Sequence, residues 1–256
     1  MAEHALAQVA NIFSASGFAF LGGYIPTFVW VYFWAHEDCH PEPRRLLVYA
    51  FLAGMAAIPM AVLLEFWWSD ILSTALQLPD HDPTLLLWQF TGWAFIEEIM
   101  KFTLISWVIF WRRDFDEPVD AMIYMMVGAL GFAALENMLY LIPSFQESLA
   151  SGVALTGIRF AGASLLHTLS SGVVGFYLAH NFCRGRLHWV IGSAVGITLA
   201  SLLHMVFNLL LLSSMGDSIA PVIVLLSLSG VFLIFAFDHV KLIHQTCAIH
   251  VKDSDL

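Results

Sequence analysis

The sequence predicts an all-α, polytopic transmembrane helical bundle of about seven spans, with its N-terminus outside and its C-terminus in the cytoplasm. Three observations carry this expectation. Of 256 residues, 59% are hydrophobic and only 12% are charged, and the mean hydropathy is +0.79. A soluble domain keeps roughly a quarter of its residues charged. The apolar residues gather into runs of about 20 or more, the length that crosses the hydrocarbon of a bilayer. The basic residues outside the spans occupy alternate connections only, as orientation by the positive-inside rule requires. A net charge of −10 excludes the clustered Lys and Arg of a nucleic-acid footprint, so the expected partner is the lipid bilayer.

The spans follow in order. The first covers residues 11–34 and is expected to stay as an anchor, because residues 1–8 hold no basic leader. The second covers 45–68, the third 84–111 and the fourth 121–142. The last three are 153–179, 189–212 and 219–237. No linker or repeat divides the chain, so residues 1–256 are expected to form one membrane-embedded domain with its functional core at 84–212 and a cytoplasmic tail at 238–256.

Charge sets the orientation. Arg44 and Arg45 lie between spans one and two, Arg112 and Arg113 between three and four, Arg184 and Arg186 between five and six, and Lys241 and Lys252 in the tail. The alternate connections, 69–83, 143–152 and 213–218, contain no Lys or Arg. All of these cations therefore belong to the cytoplasmic face. Cys39, Cys183 and Cys247 fall on that same reducing side and are expected as free thiols. Trp34, Trp67, Trp68, Trp111 and Trp189 stand at span ends, where indole rings favour the headgroup level. Gly192 with Gly196, Gly128 with Gly131 and Gly172 with Gly175 offer close helix packing.

Against this apolar background several residues are out of place. Span three holds Glu97, Glu98 and Lys101, span four Glu136 beside Asn137, span five Arg159 and His167, and span six His204 and Asn208. Each ionisable group costs about 2.5–3.5 kcal/mol at a helix centre unless it is paired or put to use. Lys101 is one helical turn from Glu97 and three residues from Glu98, so one ammonium reaches either acid and the second acid needs a partner from another helix. His204 and Asn208 also stack one turn apart, where an amide orients an imidazole or binds a carbonyl. Counted from the span ends, the group belongs to the middle and outer part of the bundle. Imidazoles and carboxylates are the ligands of a Zn2+-like ion, and a carboxylate is a base for the water it binds, so the set suits a metal-assisted hydrolase. The same residue types also serve a proton or ion path. The spacing is no HExxH motif.

Three short patterns in order resemble a known family. Glu97-Glu98-Ile99-Met100-Lys101 resembles the EExxK motif of PrsW-type intramembrane metalloproteases, Phe132 to Glu136 their FxxxE motif, and His204 to Asn208 their HxxxD/N motif. The stretch DAMIYMMVGALGFAALENMLY and the places of Arg159 and His167 fit the same pattern. The resemblance covers roughly residues 90–210 and extends distantly to the CAAX-processing and bacteriocin-immunity membrane proteases. It implies a zinc endopeptidase in the inner membrane of a prokaryote, cutting a single-span membrane protein at a first site, as the founding members cut an anti-sigma factor. By this resemblance Glu97 or Glu98 activates water, Glu136, His167 and His204 hold the metal, and Asn208 stabilises the oxyanion or positions His204. Lys101, Asn137 and Arg159 are supports. A metal-free glutamate mechanism, a proton- or ion-coupled transporter and a catalytically silent partner-binding homologue are the alternatives. No internal repeat of the transporter kind is seen.

Overall fold

An apolar chain in lipid must satisfy its backbone polar groups within each segment, which leaves helices as the natural outcome of these runs. The structure, a computed structural model, describes the backbone of residues 2–37, 40–213 and 218–254, and side chains between residues 12 and 243 of that set. The helices are α1 (Ala2–Ala35), α2 (Arg44–Leu76), α3 (Pro83–Ile109), α4 (Pro118–Glu147), α5 (Leu149–Arg159), α6 (Leu165–His180), α7 (Arg186–Ser213) and α8 (Ala220–Ser254). A π-helical turn, Phe160–Ser164, joins α5 to α6 in one continuous rod, so each of the seven expected spans corresponds to one rod. Six rods are long and apolar enough to cross a membrane. The seventh, α3, has 27 residues, ample length, but carries Glu97, Glu98 and Lys101 at mid-helix.

Local signals set the ends. Asp82 accepts the N–H of Thr84 at 2.8 Å and Pro83 opens α3, a favourable start because proline lacks the donor that a first turn leaves idle. Gln77 closes α2 in the left-handed region, with φ at 50°.

The middle of the bundle is α4. Its run from Ala121 to Gly131 is wholly buried, and it packs against α1, α2 and α6, with α3, α5 and α8 completing the surround. A helix apolar on every side buries on every side. Glycine permits the closest approaches. A Cβ on Gly131 would stand 1.9 Å from the carbonyl oxygen of Phe51, and one on Gly54 would stand 1.7 Å from that of Gly128, so α2 and α4 touch backbone to backbone. The Gly192 and Gly196 pair likewise lies against Tyr177 and Val174 of α6.

Tertiary packing adds two details to the expected layout and overturns one expectation. Trp34, at the end of α1, is turned into the bundle: it is 4% exposed and stacks on Phe237 of α8 with ring centroids 5.6 Å apart. The segment expected as the cytoplasmic tail, 238–256, is helical through Ser254 as a continuation of α8, with Val240 fully buried. Cys183, expected as a thiol, is disulfide-bonded; the side chains of Cys39 and Cys247 lie outside the described residues. Pairing follows from which segments meet on one face, and linear order does not reveal that.

Candidate active site

The embedded polar residues converge on one place, and helix geometry explains how. On α3, Lys101 Nζ lies 2.9 Å from Glu98 Oε1 and 3.5 Å from Glu97 Oε2, as spacings of three and four residues require. The ammonium is fully buried and also meets His167 Nδ1 at 2.7 Å. An ammonium only donates, so His167 accepts through Nδ1 and carries its proton on Nε2. That proton faces Glu136 Oε2 at 3.0 Å.

Glu136 is held from its other side. Arg159 Nη2 donates to the same oxygen at 2.5 Å, and Arg159 Nε donates to Asn137 Oδ1 at 2.5 Å. Asn137 Nδ2 then donates to Ser164 Oγ at 2.9 Å, and the guanidinium lies 4.2 Å above the ring of Tyr140. Arg159 and His167 flank the π turn, and Ser164 is its last residue. One widened turn rotates the helix on its far side relative to the helix on its near side, which lets α5 present Arg159 and α6 present His167 to the same carboxylate. Trp30 Nε1 donates to the carbonyl of Phe160 at 3.4 Å, partnering a backbone group in the irregular turn.

Glu98 has a different setting. It is fully buried and accepts from Lys101, from Ser170 Oγ at 2.9 Å and from Ser171 Oγ at 3.3 Å. His204 Nδ1 stands 3.1 Å from Oε1. A carboxylate only accepts, so His204 carries its proton on Nδ1 and leaves Nε2 as its lone pair.

The two imidazoles therefore share a pattern. Each has one nitrogen on a carboxylate, His204 on Glu98 and His167 on Glu136. The other nitrogen of each, His204 Nε2 and His167 Nδ1, lies 3.9 Å from one atom, Glu97 Oε2. That oxygen is buried and has no hydrogen-bond partner. Glu97, His167 and His204 offer donor atoms that all lie within 4.8 Å of one another. A tetrahedral ion with bonds of about 2.0–2.1 Å sets its ligands roughly 3.4 Å apart, so this set fits a metal after shifts of less than about an ångström.

Above the group opens a cavity of about 1020 Å³, mostly apolar, walled by every helix from α2 to α8. Glu97, Glu136, Arg159, His167, His204 and Asn208 all line it. Asn208 makes no hydrogen bond within the described residues. The structure thus brings together all nine residues singled out in the sequence, but in an altered order of contact: Glu97 rather than Glu136 faces His167 Nδ1 and His204 Nε2, the two imidazole nitrogens not hydrogen-bonded to a carboxylate. Sequence reasoning missed Ser164, Ser170 and Ser171, which only their neighbours distinguish from ordinary helix serines. It also missed Glu65, an acid inside an apolar run and so carrying the usual signal, three residues before the expected end of its span. Helix α2 continues to Leu76, which leaves Glu65 inside the bundle and on the cavity wall.

Fold and site define a multi-pass helical membrane protein built around an embedded centre of carboxylates and imidazoles. The chain belongs to the PrsW family of intramembrane metalloproteases, whose family model matches residues 42–237 and so spans every residue of the site. It is similar to protease PrsW of Geobacillus kaustophilus, 27% identical over 187 residues covering 71% of this chain and 74% of the relative. The corresponding protein of Bacillus subtilis is 24% identical over 183 residues, 70% of this chain and 76% of its own length. That of Clostridioides difficile is 27% identical over 200 residues, 75% and 79%. No solved structure matches this chain. Membership makes the protein a prokaryotic membrane protease whose substrate is itself membrane-embedded.

Proposed function

We propose that the chain is a zinc endopeptidase that hydrolyses a peptide bond of a single-span membrane protein, in a first-site cleavage of the anti-sigma-factor type. The observation that carries the reading is the convergence of His167 Nδ1 and His204 Nε2 on Glu97 Oε2, a buried oxygen that accepts no hydrogen bond and has only the longer, 3.5 Å ion pair with Lys101. One carboxylate with two imidazoles is a set used by catalytic zinc sites, and Glu97, His167 and His204 would hold the ion. Bound there, zinc supplies a Lewis acid and a water acidified to a pKa of about 7.

The chain's other residues prepare that centre. Glu98 and Glu136 each fix one imidazole in the tautomer that turns its lone pair toward Glu97, the carboxylate-to-histidine support typical of metal sites. Glu136, with the Arg159 guanidinium on its ligating oxygen, is better employed there than as a ligand. Lys101 neutralises Glu98 and would have to give up its contact with His167 Nδ1 for that nitrogen to hold an ion. Asn208 offers an uncommitted amide one turn from His204, where it can donate to the carbonyl oxygen of a bound peptide as charge develops. The apolar cavity suits the uncharged side chains of a membrane segment and excludes bulk water.

The 2.7 Å contact of Lys101 with His167 Nδ1 favours one second reading, in which Glu97 acts as the base on a water without metal. Cleavage of membrane-anchored peptides by the purified protein in liposomes, with Glu97→Gln and His204→Ala beside it, tests the common core. Unchanged cleavage by both variants would sink the proposal. Metal content of the same preparations separates the two readings, stoichiometric zinc in active wild type supporting the first.

A further inference from the structure

Glu65 stands apart from the network just described. It projects from α2 into the cavity that holds Glu97, Glu136 and Asn208, and it makes neither hydrogen bond nor ion pair among the described residues. It is within electrostatic reach of Glu97, Glu136 and Lys101. Nothing nearby is left to neutralise it. Arg159, the one cation lining the cavity among the described residues, is committed to Glu136 and Asn137. Lys101 is held by Glu98 and His167.

Three carboxylates therefore line the cavity against one guanidinium. Two of them, Glu97 and Glu136, are employed at the centre. An unpaired acid among apolar helices is retained at considerable expense, and such a group calls for a partner that comes from elsewhere. The occupant of this cavity is the substrate. We infer that Glu65 is a specificity-determining subsite that receives a basic side chain, Lys or Arg, of the membrane-anchored substrate. The inference rests on the protease reading of the cavity.

The register of the helices says where that side chain lies. Glu65 is 11 residues from the end of α2 at Leu76, and Glu97 is 14 from the start of α3 at Pro83. Both ends lie on the α2–α3 turn, so Glu65 is nearer that turn by about 4–5 Å at 1.5 Å per residue. An extended peptide advances about 3.3–3.6 Å per residue. The basic residue thus belongs within a few positions of the cut bond, on the side facing the α2–α3 turn. A cationic side chain also has a physical reason to stand there, since its stem packs on apolar wall while its head meets the acid.

The test uses the full chain in liposomes and a set of membrane-anchored peptides in which one Lys is walked through the cleaved segment, each matched by a norleucine peptide of equal length. Wild type is expected to favour Lys over norleucine about 30-fold or more in kcat/KM at one position, the scale of a desolvated charge pair left without its partner. In Glu65→Gln and Glu65→Ala that ratio should fall to near one, and Glu65→Lys should favour a Glu-bearing peptide instead. A wild-type ratio near one at every position, or a ratio kept in Glu65→Gln, would overturn the inference. Equilibrium binding of the same peptides is measured alongside. If wild type cuts no peptide, the protease reading fails while the Lys-to-norleucine affinity ratio still decides the subsite.

Discussion

Glu97 and Glu98 are neighbours in the chain with opposite bonding: Glu98 accepts from Lys101, Ser170, Ser171 and His204, whereas Oε2 of Glu97 is buried with no hydrogen-bond partner. One side chain holds the bundle together at this depth and the next is left available. Adjacent residues on a helix point about 100° apart, so two identical residues meet different neighbours.

This contrast gives the first prediction. Glu98→Gln leaves the Lys101 ammonium without its closest counter-charge in the interior and should destabilise the protein by about 3–5 kcal/mol. Glu97→Gln removes no hydrogen bond from Oε2, only the longer 3.5 Å ion pair with Lys101, and should cost clearly less, about 1 kcal/mol, while proteolysis falls by about 10²–10⁴. Thermal unfolding in detergent beside a cleavage assay reads both. Equal destabilisation by the two variants would contradict the assignment.

A second prediction concerns the π turn. Asn137→Ala removes the acceptor of Arg159 Nε and the donor to Ser164 Oγ, and should cost about 1–3 kcal/mol for polar groups left unpaired. Arg159→Lys should fail to restore full activity, because a single ammonium cannot reach Glu136 and Asn137 in the fork geometry of guanidinium. Activity and melting temperature of the two variants check this. A fully active Arg159→Lys protein would show that the fork is dispensable.

Metal retention should follow the contact order. Under the zinc reading, His204→Ala loses stoichiometric zinc, and Glu136→Gln, which loosens only the support of His167, weakens zinc affinity by about 10–100-fold. Chelation should bring wild-type cleavage down to the level of Glu97→Gln, and zinc should restore it. Competition of the purified variants against a zinc-binding dye measures the affinities independently of cleavage.

Packing between α2 and α4 supplies a fourth. Gly131→Ala places a Cβ 1.9 Å from the carbonyl oxygen of Phe51, so the two backbones must separate, at a cost of about 1–3 kcal/mol or more. Gly17→Ala on α1 meets nothing within 4 Å and should be neutral or stabilising by up to about 1 kcal/mol, the helix propensity gained. Unfolding midpoints of the pair report the difference.

Much of this architecture was legible in the chain. Hydrophobic runs are one-dimensional signals, because a bilayer demands length and apolarity of each helix separately. The seven expected spans accordingly correspond to seven rods, and the EExxK, FxxxE and HxxxN patterns pointed to the family before any geometry. Other features could not be read this way. The continuation of α8 past residue 238, the burial of Trp34 and the disulfide of Cys183 depend on which faces meet. Ser170 and Ser171 become notable only once α6 is laid beside Glu98.

By itself the sequence determined the helices, their alternation across the bilayer and the list of residues too polar for their surroundings. It also determined the contacts within one helix, such as Lys101 with Glu97 and Glu98, because spacing along a helix settles direction. Only the tertiary structure decided the partners between helices: that Glu98 is saturated and Glu97 is not, that Glu136 belongs to Arg159 and His167, and that Glu65 faces the cavity unpaired. The reason is that rotation and crossing of each helix, set here by glycine contacts around α4 and by the π turn before His167, are collective outcomes of packing that no local spacing encodes.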